Sequence, residues 1–156
     1  MRRELSVAME IAHDAGEIIR ENFGKLQKVA YKGDVNPVTE TDTAAESLIL
    51  ARLEKAFPQH RILGEESGGS DWATDDAIWL VDPLDGTNNF AHGFPHVCVS
   101  LALWADREPL VGVIYDPLRD ETFAAEKGGG ATLNGHSIHP SALPDFARPF
   151  LATRFP

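Results

Sequence analysis

The chain has 156 residues, 43% hydrophobic content and a formal net charge of −10. That length suits one globular domain with a substantial core, and the charge argues against nucleic acid or anionic membranes as partners. The single cysteine, Cys98, excludes an internal disulfide and suits a reducing cytoplasm. Acidic residues interrupt the N-terminal stretch, and no apolar run reaches about 18 residues, so neither a signal peptide nor a membrane-spanning helix is predicted.

Two amphipathic helices are predicted first in chain order. Apolar residues recur at helical spacing over 5–23. A polar, turn-prone stretch follows at 31–37. The second helix is expected to begin near Thr43, because Thr43 and Glu46 have the spacing of a capping box, and to end at Pro58.

Short strands are predicted after the helices. They are expected at 61–63, 77–81, 97–104, 109–115 and 121–125. Short links favour antiparallel pairing, because parallel neighbours need long crossovers. The run Gly128–Gly130 is interpreted as a hairpin turn, and Cys98 as a small core residue. The sequence therefore predicts an α+β fold in which two helices pack on a mainly antiparallel sheet.

Acidic side chains follow two of the predicted strands. Glu65 and Glu66 come after the first strand, and Asp82 and Asp85 come after the second. Carboxylates that converge in one cleft repel each other, so either their pKa values rise or a cation joins them. Such hard oxygen ligands suit Mg²⁺, Mn²⁺ or Ca²⁺, and Mg²⁺ also binds substrate phosphates. The spacing alone leaves two interpretations open: a metal site or a pair of solvated acidic loops.

Three segments together resemble the inositol monophosphatase family in their order along the chain. They are VTETD at 38–42, GEES at 64–67 and WLVDPLDGTNNF at 79–90. Further downstream, 92–95, 112–115 and 134–135 also look like that family. The resemblance implies a layered α/β sandwich of the inositol monophosphatase and fructose-bisphosphatase type. It also implies Mg²⁺-dependent hydrolysis of inositol monophosphate or of a similar small sugar or polyol phosphate.

The resemblance implies specific metal ligands. Glu65, which would also be a catalytic residue, and Asp82 would bind a first Mg²⁺, and the Leu84 carbonyl would complete that site. Asp82 and Asp85 would hold a second Mg²⁺. Glu66 stays open as an alternative ligand, although the first glutamate of the pair is the usual one in the family.

The same resemblance implies roles toward the substrate. Thr87, paired with Asp42, would orient the attacking water and help to deprotonate it. The backbone amides of Gly86 and Thr87 would hold the phosphate, next to Asp85. Lys32 matches a lysine that lies near the metal site in relatives.

Several wider expectations follow from the resemblance and from the length of the chain. A small phosphate-ester substrate, a homodimer and a cytoplasmic location are expected, without nucleic-acid or membrane partners. Family members are considerably longer, and their tryptophan–aspartate motif for the second metal is missing here. Residues 1–156 are therefore expected to be an N-terminal metal- and phosphate-binding domain, apparently truncated, with little activity if it is the whole product. A fructose-1,6-bisphosphatase-type enzyme and a non-catalytic binding or assembly module remain alternatives.

Overall fold

Two long helices pack on one face of a sheet. The structure is a computed structural model, and it describes residues 2–25, 29–32, 36–65 and 77–141. The elements in chain order are α1 Arg3–Asn22, β1 Val29–Lys32, β2 Asn36–Thr39, α2 Glu40–Ala56, β3 Arg61–Gly64, β4 Ile78–Asp85, α3 Thr87–Ala91, β5 Cys98–Ala105, β6 Glu108–Asp116, β7 Glu121–Glu126, β8 Gly130–Leu133 and β9 His136–Ile138. None of the helices in these ranges is both long enough and apolar enough to cross a bilayer.

The strands within the described residues form one large sheet and one hairpin. The large sheet has the order β3-β4-β5-β6-β7-β8-β9, and β1 pairs with β2 separately. Neighbours from β4 to β9 are antiparallel, whereas β3 and β4 are parallel. Because parallel strands end at the same edge of a sheet, the segments that leave β3 and β4 begin side by side.

The core lies between the helices and one face of the sheet. Its helical residues include Leu5, Ala8, Ile11, Ala12, Ala15, Ile19, Ala45, Ile49 and Leu53, and its strand residues include Trp79, Val81, Val99, Leu101, Val111, Val113 and Tyr115. Along β5 and β6 the buried positions alternate with accessible ones, as expected when one sheet face is covered. On the opposite face, Ile114 and Phe123 are exposed.

The predicted fold class is confirmed, while several elements differ from expectation. The turn-prone stretch contains the β1–β2 hairpin, and β4 continues through Pro83 to Asp85, beyond its predicted end at residue 81. Gly128–Gly130 lies at a hairpin turn between β7 and β8, as predicted, but β8 and β9 were not predicted. The parallel β3–β4 pair also departs from the antiparallel rule, and the segment between these strands falls outside the described residues.

The predicted start of the second helix near Thr43 is wrong. The helix begins at Glu40 with Thr39 as its N-cap. Thr39 and Asp42 form a capping box, in which the Asp42 carboxylate accepts from the Thr39 N–H at 2.9 Å and the Asp42 N–H donates weakly to Thr39 Oγ1 at 3.4 Å. This pair offers the same reciprocal bonds about one turn earlier than Thr43 and Glu46, so the helix extends to it.

Replacing Thr39 by alanine is expected to lower the free energy of unfolding by about 1 kcal/mol, because the helix loses its N-cap. Thr43→Ala is the matched control, since Thr43 is an exposed residue inside the first turn. That control is expected to change stability by less than about 0.5 kcal/mol. Urea denaturation of both variants measures the difference, and a larger loss for Thr43→Ala would contradict the assignment of the cap.

Helix α1 approaches the sheet closely at Gly16. A Cβ atom at this position would lie 2.4 Å from Cε1 and 2.6 Å from Cδ1 of the Tyr115 ring. Tyr115 is fully buried in the core, so its ring has little room to move. The absence of a side chain at Gly16 therefore sets the distance between α1 and β6.

Gly16→Ala is expected to destabilise the fold by about 1–3 kcal/mol through overpacking, although alanine favours helices by about 1 kcal/mol over glycine. Gly112→Ala is the matched control, because an added Cβ at Gly112 meets no atom within 4 Å. We expect that control to lie within about 0.5 kcal/mol of the parent. Equal midpoints for the two variants in thermal and urea unfolding would refute the close approach.

Candidate active site

The carboxyl ends of β3 and β4 bring acidic residues together at one edge of the sheet. The parallel register pairs Gly64 with Val81, and the Glu65 N–H continues it by donating to the Val81 carbonyl at 3.0 Å. Glu65 is therefore placed beside Asp82, the next residue of β4. The pairing of these two strands makes neighbours of residues that are 17 positions apart in the sequence.

A bulge in β4 aligns the two aspartates. Asp82 pairs with Ser100 and Asp85 with Cys98, so three steps along β4 match two steps along β5. In a regular strand, residues three apart point to opposite faces. The extra residue shifts that alternation, and Asp82 and Asp85 both oppose residues on one face of β5. The bulge thus turns two carboxylates toward the same side.

These carboxylates repel one another strongly. The pKa of Asp82 is raised from 3.8 to about 8, first by burial, then by the charges of Glu65 and Asp85 and by a hydrogen bond with Glu65. The Leu84 N–H, which donates to Asp82 Oδ1 at 3.1 Å, acts in the opposite direction. A cation among these side chains would relieve the repulsion, so the cluster has the electrostatic character of a metal site.

The donor set fits a hard divalent cation. It consists of carboxylate oxygens and a nearby carbonyl, the ligands that Mg²⁺ prefers. In the described ranges, however, no group of three or more His, Cys, Asp or Glu side chains is arranged so that it could hold a metal ion. A change of side-chain rotamers would be needed to bring these carboxylates onto one ion.

A hydroxyl–carboxylate pair lies next to the acidic residues. Thr87 Oγ1 donates to Asp42 Oδ1 at 2.9 Å and lies 3.1 Å from the Leu84 carbonyl oxygen. Asp42 is 2% exposed, and its other oxygen accepts from the Thr39 N–H and from the Thr39 hydroxyl. The carboxylate is therefore fixed on both sides. The backbone of Leu84 connects the two groups, because its N–H donates to Asp82 and its carbonyl oxygen lies next to the Thr87 hydroxyl.

Gly86 forms the tight turn between β4 and α3. Its φ of 96° and ψ of 34° lie in the left-handed region, which favours glycine. A Cβ atom here would also lie 2.7 Å from the His96 carbonyl oxygen. Both constraints exclude larger residues, so the turn that leads from Asp85 to Thr87 depends on glycine.

Cys98 lies beside the acidic cluster, which differs from its predicted place in the core. It is half-buried, and its Sγ lies 3.9 Å from Asp85 Oδ2. Burial, followed by the charges of Asp85 and Asp82, raises the pKa of the thiol to about 12. The thiol therefore stays protonated at neutral pH and is not a nucleophile. Its place follows from the β4 bulge, which Pro83 favours because proline cannot donate to the strand ladder.

The predicted site residues fall into two groups. The structure gathers Glu65, Asp82, Leu84, Asp85, Gly86, Thr87 and Asp42 along one edge of the sheet. Lys32 lies in β1, but its side chain is outside the described residues, as is Glu66. The sequence argument missed Thr39, which supports Asp42. Its spacing of three residues from Asp42 is a capping signal that was available.

Comparisons with known proteins agree on one family. The protein-family model described as "Inositol monophosphatase family" matches residues 1–156. Inositol monophosphatase 2 of Solanum lycopersicum is 48% identical over 98% of this chain and 59% of its own length. Nus factor SuhB of Escherichia coli (strain K12) is 40% identical over the whole chain and 59% of its own length. The solved IMPase of Thermotoga maritima matches with a TM-score of 0.83 and 34% identity, covering 90% of this chain and 55% of that one. The chain thus spans a little under three fifths of these relatives.

The raised pKa of Asp82 predicts a pH-dependent stability in chelator-treated protein. Between about pH 4 and pH 8 the folded carboxyl keeps a proton that the unfolded one, with a pKa of 3.8, releases. Its contribution to the free energy of unfolding is therefore complete below pH 3.8 and is lost as the pH rises through 8. Asp82→Asn removes this loss, so the variant is expected to melt above the parent at pH 8.5 and to approach it near pH 5.

The control for this experiment is Asp106→Asn, an identical change of charge in an exposed turn. Thermal unfolding at a series of pH values should give parallel curves for Asp106→Asn and the parent. Added Mg²⁺ should raise the melting temperature of the parent at pH 8.5 and have little effect on Asp82→Asn. An Asp82→Asn curve that stays parallel to that of the parent across the whole range would contradict the raised pKa.

Proposed function

Because the chain belongs to the inositol monophosphatase family, we propose that it is the metal- and phosphate-binding domain, residues 1–156, of a Mg²⁺-dependent phosphomonoesterase. The proposed substrate is inositol monophosphate or a similar small sugar or polyol phosphate. Relatives that carry the name inositol monophosphatase, at up to 49% identity, support this substrate class. A fructose-1,6-bisphosphatase-type substrate is the alternative within the same superfamily.

One observation carries the proposal: a cluster of mutually repelling carboxylates lies beside a hydroxyl–carboxylate pair. Asp82 accepts from the Leu84 N–H, and the same residue's carbonyl lies 3.1 Å from the Thr87 hydroxyl oxygen. Ester hydrolysis needs both parts, since the anionic phosphate must be neutralised and an attacking water must lose a proton. A solvated acidic loop, the alternative interpretation, gives no reason for a part-buried threonine–aspartate hydrogen bond.

In this proposal the acidic cluster holds Mg²⁺. Glu65, Asp82 and the Leu84 carbonyl would bind one ion, and Asp82 and Asp85 would bind a second. The bound metal supplies positive charge that lowers the pKa of a water and stabilises the developing charge on the phosphate. This charge also explains how a protein with a net charge of −10 can accept an anionic ester.

The proton of the attacking water is assigned to Thr87 and Asp42. When the Thr87 hydroxyl donates to Asp42 at 2.9 Å, its lone pairs are left to accept a hydrogen bond from water. Asp42 then receives the hydroxyl proton as the water is deprotonated, and the Thr39 N–H keeps the carboxylate oriented. Glu65 is also proposed to be a catalytic residue, as a second carboxylate close to the attacking water.

The phosphate is proposed to bind at the Gly86 turn. The N–H groups of Gly86 and Thr87 are its proposed donors, because a left-handed glycine exposes successive amides. Asp85 would contact the ester from the metal side, and Lys32 would add a positive charge. Lys32 rests on the family resemblance alone.

The wider properties are also proposals. A homodimer rests on the resemblance, and a cytoplasmic location also agrees with the lone cysteine. The net charge supports the absence of nucleic-acid and membrane partners. The second candidate function is a non-catalytic binding or assembly module.

Calorimetry on the 156-residue chain, and a phosphate-release assay on a full-length protein that contains it, test the proposal. We expect the parent to bind Mg²⁺, and Asp85→Asn to bind it at least about tenfold more weakly. Thr87→Val should keep Mg²⁺ binding and lower the hydrolysis of inositol 1-phosphate by about 100-fold or more, since it loses the proton path. Thr43→Val, in the exposed first turn of α2, is the control and should behave like the parent.

Two outcomes would contradict the proposal in different ways. Absence of Mg²⁺ binding by the parent would refute the metal site. Mg²⁺ binding without any hydrolysis by the full-length protein would favour the binding module over the enzyme. Equal turnover by Thr87→Val and Thr43→Val would remove the assigned role of Thr87.

A further inference from the structure

The Gly86 turn is covered by the segment that follows α3. The His96 carbonyl oxygen lies 2.7 Å, and Val97 Cγ1 3.4 Å, from the position that a Cβ of Gly86 would take. Val97 is buried, so the end of this segment is anchored in the core. The backbone oxygen of His96 therefore forms part of the immediate surroundings of Gly86.

Asn89 holds that carbonyl in place. Its side-chain Nδ2 donates to the His96 carbonyl oxygen at 2.8 Å, and its backbone carbonyl accepts from the Phe94 N–H at 2.8 Å. The same Nδ2 lies 3.3 Å from the hypothetical Cβ of Gly86. One residue of α3 thus binds the covering segment twice, and it does so directly over the turn.

We propose that Asn89 is a positioning residue that fixes the His96 carbonyl over the Gly86 turn and thereby sets the affinity of that turn for phosphate. The inference rests on the proposed function, which assigns phosphate to the Gly86 and Thr87 amides. The proposed function leaves Asn89 without a role, and the distances above supply one. Asn89 is expected to act through the turn and not by touching the substrate.

Two physical effects connect Asn89 to an anion. First, the His96 carbonyl oxygen lies where a Cβ of Gly86 would clash at 2.7 Å, so the His96 backbone packs closely on the turn and supports the direction of the amides that follow. Second, a carbonyl oxygen that lacks its donor presents an uncompensated negative dipole end. Such an oxygen near a phosphate site is repulsive, and the Asn89 amide compensates it. Loss of Asn89 should therefore weaken anion binding while the carboxylate cluster is unchanged.

Titration of inorganic phosphate into the Mg²⁺-saturated 156-residue chain tests this inference. Asn89→Ala is expected to raise the phosphate dissociation constant about tenfold, the ratio typical of one lost hydrogen bond. Its Mg²⁺ dissociation constant should stay within about twofold of the parent. A general loss of folding would weaken both ligands together, so this split separates positioning from a merely structural role.

A matched pair of charge variants sharpens the test. Asn89→Asp turns a donor into an acceptor that faces the His96 carbonyl, whereas Asn88→Asp adds the same charge at an exposed neighbouring position. Asn89→Asp should weaken phosphate binding more than Asn89→Ala does, and Asn88→Asp should change it by less than about threefold. In ligand-free protein, NMR should show the amide resonances of Gly86 and Thr87 moving in Asn89→Ala.

The outcomes distinguish the inference from the function on which it rests. If the parent binds phosphate and Asn89→Ala binds it equally well, the positioning role is wrong and the proposed function stands. Unmoved Gly86 and Thr87 resonances in Asn89→Ala would also overturn it. If the parent binds no phosphate at saturating Mg²⁺, the proposed function fails and the inference fails with it.

Discussion

The candidate site depends on one constraint, the mutual repulsion of Glu65, Asp82 and Asp85. The fold brings three carboxylates together through one parallel strand pair and one bulge, although separation would be more stable for the isolated protein. Burial first, and then the charges of Glu65 and Asp85, raise the pKa of Asp82 to about 8. A fold that keeps such an arrangement has stability to spare elsewhere, here in the core between α1, α2 and the sheet.

The site depends on backbone geometry as much as on side chains. The left-handed Gly86 and the extra residue of β4 set the direction in which four consecutive positions, Asp82 to Asp85, present their polar groups. The backbone of Leu84 connects Asp82 to Thr87 through its N–H and its carbonyl, while the Leu84 side chain is buried in the core. Packing of that side chain therefore holds the Leu84 backbone between the acidic cluster and the hydroxyl.

Local sequence signals predicted the parts of this protein that depend on local physics. The 3.6-residue period indicated the two long helices, short apolar segments between turn signals indicated β3 to β7, and the acidic residues at strand ends indicated the site. The parallel β3–β4 pair and the place of Cys98 depend on contacts between distant segments, which no local pattern encodes. The β4 bulge had a local signal in Pro83, since proline inside a paired strand is typical of a bulge. The cap at Thr39 had a local signal, but Thr43 and Glu46 offered a competing one. The roles of the site residues came from family motifs and not from spacing.

Asp42 belongs to two structures at once, since one of its oxygens serves the N-terminus of α2 and the other accepts from Thr87. The ends of helices open more readily than their centres, and they do so well before a domain melts cooperatively. In this protein, however, Thr39, Thr41 and Asp42 are all buried and the capping box holds the first turn of α2, so Thr87 keeps its acceptor for as long as the cap is intact. Loss of that cap would weaken the helix and release the Thr87 hydroxyl in the same event.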